Sequence, residues 1–153
     1  MRFIFIILLF LTACRGKNSG TTSATADTTQ VIELALKTAL GQDFPEMDAV
    51  KTKSIFGDSI FFTTALFPLS TLPSKIDSFT FKIMPDTLIC PLLKTDTVSA
   101  ELPNYLRLQA FEKTDSGYFV QFESMLCIPA PTRDASVGLH ILKTKDKFVF
   151  RKK

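Results

Sequence analysis

The apolar residues of this chain change their spacing once, and that change limits the fold more than any other feature. Ile32, Ala35, Leu36, Ala39 and Leu40 recur at i, i+3, i+4, i+7 and i+8, which is one stripe along a helix. Asp27 and Gln30 precede the stripe in a capping-box arrangement, and Gly41 suits the position just past its end. A helix is therefore expected over about 28–40. Its polar face is not basic, which favours packing on a sheet over lying on a membrane. From Val50 onward the spacing falls to two, the mark of strands with one buried face.

Val50–Phe56 and Ser59–Phe67 flank Gly57-Asp58, a two-residue hairpin signal with glycine first. Ser78–Met84 alternates Phe79, Phe81 and Ile83 with Thr80 and Lys82, and Thr87–Leu93 reads as a short strand broken by Pro91. Residues 94–104 read as a polar loop. Tyr105–Lys113 and Tyr118–Ile128 flank the turn Thr114-Asp115-Ser116-Gly117, and Val137–Lys143 and Lys147–Arg151 form a last hairpin. One helix followed by six to eight antiparallel strands gives an α+β domain, a curved antiparallel sheet with the N-terminal helix on its concave face. The element order resembles the cystatin-like and NTF2-like group of folds; a small β-barrel is the alternative.

The N-terminus carries a second, independent signal. Arg2 is followed by the apolar run Phe3–Leu11, then by the small residues Thr12 and Ala13, then by Cys14. These are the parts of a secretory signal peptide, and the run falls far short of the roughly 20 residues that span a bilayer. Leu11-Thr12-Ala13-Cys14 resembles the lipobox of bacterial lipoproteins. The resemblance implies that Cys14 receives a diacylglyceryl group, that the chain is cut before it, and that the new amine is acylated. Two or more acyl chains, at roughly 0.8 kcal/mol per buried methylene, are enough for stable anchoring. The expected division is thus a signal peptide over 1–13, a flexible tether over 14–26 rich in Ser, Thr and Gly, and a single domain over 27–153. Arg15, where an Asp would favour inner-membrane retention, points by the same resemblance to the outer membrane and its periplasmic side.

Removing residues 1–13 takes away one basic residue, Arg2, so the formal charge of +3 becomes +2 in the mature chain. That balance is too small to imply a nucleic-acid partner. With Cys14 assigned to lipid, Cys90 and Cys127 remain, both in apolar contexts. An oxidising envelope permits a disulfide between them, and buried free thiols are the other reading. His140 is the only histidine, no Cys/His pair has zinc spacing, no acidic loop has the calcium pattern, and no glycine-rich phosphate loop occurs. No metal and no cofactor are expected.

Three constellations remain. Enzymes of NTF2-like type place an Asp or His inside the cone of the sheet, for which Asp77, Glu112, Glu123 and His140 are the candidates; their neighbours put most of them on the polar side of a strand or in a turn, which argues for solvated faces. The loop Phe67-Pro68-Leu69-Ser70-Thr71-Leu72-Pro73 either folds over the core or forms a docking lip through Phe67, Leu69 and Leu72. Lys143, Lys145, Lys147, Arg151, Lys152 and Lys153 form either a solvated hairpin or a surface attracted to anionic lipid or polysaccharide. The expected function is a lipid-anchored envelope lipoprotein with a non-enzymatic binding or assembly domain, held to the membrane through Cys14, whose partner is an envelope protein or a small apolar ligand. The alternatives are a small NTF2-like hydrolase or isomerase and a cystatin-like protease inhibitor.

Overall fold

The fold is that of a computed structural model, which describes residues 21–41, 43–51, 59–94, 104–127 and 130–151. The helices are α1 (Thr21–Ala39), α2 (Asp48–Lys51) and α3 (Asp86–Lys94). The strands are β1 (Ser59–Thr64), β2 (Lys75–Ile76), β3 (Phe79–Ile83), β4 (Asn104–Thr114), β5 (Gly117–Leu126), β6 (Thr132–Lys143) and β7 (Phe148–Arg151). They form one sheet in the order β2-β3-β1-β4-β5-β6-β7, curled into a half-barrel with helices packed on it. The α+β class and the curved sheet are as the sequence predicts, but the sheet is mixed rather than antiparallel throughout, since β1 pairs in parallel with β3 and β4.

Alternation along the strands makes two cores, one on each face. Phe62, Phe81, Leu106, Leu108, Val120, Phe122, Leu139 and Ile141 point into the curl. There they meet Val31, Ile32, Ala35, Leu36 and Ala39 of α1, all fully buried. Because α1 touches the edge strands β2 and β7 as well as β5 and β6, it lies inside the concavity. Phe61, Tyr105 and Met125 point outward and pack under α3 with Ile89, Cys90 and Leu93. Cys90 of α3 and Cys127, just past β5, form a disulfide with Cα atoms 5.2 Å apart.

Four expectations need correction. The hairpin around Gly57-Asp58 does not form on β1, because β1 is parallel to β3 on one side and to β4 on the other. Parallel pairs need crossovers rather than tight turns. Val50 lies in α2 with its side chain buried, and residues 52–58 lie outside the described residues. Thr87–Leu93 is helix rather than strand: Ile89, Cys90 and Leu93 face inward, while Leu88 and Leu92 face out. Pro91 is exposed within it. α1 starts at Thr21, so residues 21–26 of the expected tether are its first turns. Asp27 accordingly sits inside the helix, and its carboxylate accepts a hydrogen bond from Lys143 at 2.6 Å rather than capping the start.

The crossovers explain where the loops go. The β1-to-β3 connection carries Phe67, Leu69 and Leu72 over the concave core. The β3-to-β4 connection carries α3 across the convex face of β1, so each face of β1 is covered by its own crossover. The β4–β5 and β6–β7 hairpins form as expected, with β6 starting five residues before Val137. Gly117 closes the first of them, where a Cβ would lie 2.0 Å from the backbone oxygen of Ile141 in β6. No side chain fits that approach.

Candidate functional site

Among the described residues, a group of charged side chains with a buried member lies on the convex face, between the β4–β5 pair and α3. Glu123 of β5 has a side chain only 5% exposed. Arg107, directly across from it on β4, donates to Glu123 Oε2 through Nη2 at 2.6 Å and Nε at 3.2 Å. Arg133 of β6 brings Nη1 to 3.6 Å from Oε1, so each carboxylate oxygen faces a guanidinium. Asp86, the first residue of α3, lies 3.9 Å from Arg107 and accepts a 2.6 Å hydrogen bond from the Tyr105 hydroxyl.

This pairing depends on an irregularity in the hairpin. From Thr114↔Gly117 to Ala110↔Gln121 the two strands keep one register, then Gln109 is left over as a bulge. Beyond it Arg107 lies opposite Glu123 instead of Ser124, on the same face. The cluster then does two jobs. It gives a buried carboxylate partners, without which its burial would be costly, and it fastens the start of α3 to the sheet.

The chemistry open to the cluster is limited. Burial and the hydrogen bond to Asp86 push the Tyr105 hydroxyl well above the usual phenol range, so it stays a donor and is no base or nucleophile at neutral pH. A raised folded-state pKa makes a contribution to stability that is complete below the unfolded value of about 10 and is lost as pH rises above it. Alkaline titration followed by phenolate absorbance should therefore show Tyr105 ionising only as the protein unfolds, and Tyr105→Phe should flatten the stability loss above pH ~10. An unchanged loss in the variant would remove Tyr105 as its source.

The other candidate residues are dispersed. Asp77 occupies the β2–β3 turn with φ +50° and makes an exposed ion pair with Lys37 at 3.1 Å, of the kind that adds little stability. It borders an open groove of about 430 Å³ between α1 and β2, lined by Gln30, Glu33, Leu34, Lys37, Lys75, Ile76 and Asp77. Glu112 is exposed near the β4–β5 turn. His140 stacks on Phe119, ring centroids 5.1 Å apart, on the convex face. None of the four points into the curl, which apolar side chains fill.

Phe67, Leu69 and Leu72 are turned toward the core rather than out as a lip: Leu72 is 6% exposed, and Phe67 packs edge-on against Phe111 at 5.2 Å. Cys14, Lys152 and Lys153 lie outside the described residues. Among the described residues no group of three His, Cys, Asp or Glu side chains is placed to hold a metal, and no helix is long and apolar enough to cross a membrane. No protein-family model, curated protein or solved structure matches the chain.

Proposed function

We propose that this is a lipid-anchored lipoprotein of the bacterial cell envelope, at the outer membrane and facing the periplasm, whose domain binds or assembles with another envelope component rather than catalysing a reaction. The observation that carries the reading is Leu11-Thr12-Ala13-Cys14 at the end of the apolar run Phe3–Leu11. The Cys90–Cys127 disulfide supports it, since such bonds persist in oxidising compartments outside the cytosol.

An NTF2-like hydrolase or isomerase would need an acid or base inside the curl, and that space holds Phe62, Phe122, Ile32 and Leu36. The buried Glu123 faces the other way and is occupied by two arginines. The groove beside α1 has charged walls, which suit a small apolar ligand poorly. An envelope protein is thus the better-supported partner.

Cys14→Ala should release the protein from the membrane fraction of the expressing cell into the soluble fraction. Full retention of the variant would contradict the lipid anchor.

A further inference from the structure

The fold places the chain's route to the membrane and its basic turn at the same end. Lys143, the last residue of β6, bonds Asp27 in the second turn of α1 at 2.6 Å. The backbone N–H of Lys143 donates to Ser116 in the β4–β5 turn at 2.9 Å. Both long turns, Thr114–Gly117 and Thr144–Lys147, therefore flank the N-terminal part of α1. The helix continues six residues from Asp27 back to Thr21, about 9 Å at 1.5 Å per residue. The seven residues from Cys14 to Thr21 reach at most about 25 Å even when fully extended. An acyl group on Cys14 thus keeps this end of the half-barrel close to the bilayer. The other end, where the disulfide fixes α3 beside Cys127, lies ten residues along β5 from Gly117, or about 30 Å.

We propose that the end carrying both turns rests on anionic phospholipid headgroups, with the ammonium groups of Lys113, Lys145 and Lys147 against the phosphates. This rests on the lipid anchor proposed above. All three lysines are exposed. Asp115 and Asp146 offset part of their charge, the exposed Glu112 is balanced by the exposed Arg151 in the same row across the sheet, and Lys143 is neutralised by Asp27. Three cations against two carboxylates are too few to recruit a free protein. Tethering supplies what charge does not: a short linker holds a second contact at an effective concentration on the order of millimolar, so a weak contact stays occupied.

The chain has no Trp, so a single introduced Trp is a unique donor. Ser116→Trp probes the turn end and Leu88→Trp, at a helix position 53% exposed, probes the other. Each acylated full-length variant is placed in phosphatidylcholine vesicles with or without phosphatidylglycerol, carrying a headgroup acceptor dye. Transfer from position 116 should exceed that from 88 about twofold or more on the anionic vesicles. The excess should shrink with Lys145→Glu/Lys147→Glu or at about 1 M salt, where the screening length falls to about 3 Å. Hydrogen exchange of the unsubstituted protein gives the same answer without a Trp: slowing at 113–117 and 143–148, none at 86–94. Equal transfer and equal protection at both ends, or protection of 86–94, on protein whose Cys14 is acylated, overturns this orientation alone. Turn-end contact indifferent to headgroup charge overturns the phosphate contact. Protein without acyl chains on Cys14 overturns the anchor as well.

Discussion

Cys90→Ala/Cys127→Ala should lose about 4 kcal/mol of unfolding free energy, the chain-entropy value for a closed loop of this length. The two residues are 37 apart, and the bond joins α3 to the end of β5 across the convex face. α3 is only nine residues long and contains Pro91, so little of its stability comes from helix formation itself. Three inward residues, the Asp86 cluster and the disulfide hold it. Urea unfolding of the unsubstituted protein with and without reductant should reproduce most of the difference. Equal midpoints would mean that the bond adds no constraint to the unfolded chain, and that α3 is held by packing alone.

Phe62→Ala should cost about 3–5 kcal/mol, the range for removing a buried aromatic ring. Phe62 is fully buried on the interior strand β1, with ring centroids 5.5 Å from Phe81 and 6.3 Å from Phe122. It joins the parallel side of the sheet to the antiparallel side inside the curl. A loss of that size is a large part of the roughly 5–15 kcal/mol that holds a domain folded. Phe119→Ala, at a half-buried position stacked on His140, should cost less than half as much. Thermal unfolding of the pair tests this, and equal losses would contradict the concave core as the main source of stability.

The sequence speaks clearly where a local signal suffices. The stripe Ile32–Leu40, the alternation in β3, and the turns at Thr114–Gly117 and Thr144–Lys147 each specify their own element. It misleads where partners are distant. Gly57-Asp58 reads as a hairpin turn, yet both edges of β1 are taken by strands that come back through crossovers. Thr87–Leu93 is a short apolar run that periodicity cannot assign to strand or helix, and its Pro weighs wrongly against the helix. Glu123 reads as a solvated strand residue because its burial depends on α3, on Arg133 from the next strand, and on the bulge at Gln109 that aligns Arg107. The bulge shows in the sequence only as a slip from two to three between the inward residues Leu108 and Phe111, which does not by itself place Arg107 opposite Glu123 before the strands are paired. The apolar loop at Phe67–Pro73 has two readings in sequence, and only the path of its crossover turns its side chains inward.

The lipid anchor proposed above is a chemical one: fatty chains on the sulfur and the amine of Cys14 would hold the protein at its membrane. Mass spectrometry of the N-terminal peptide of the protein from its native membrane tests it most directly. The account predicts a peptide beginning at Cys14 with a diacylglyceryl thioether and an acylated amine. An unmodified peptide beginning at Met1 would contradict it, and with it the location, the partner and the orientation proposed above.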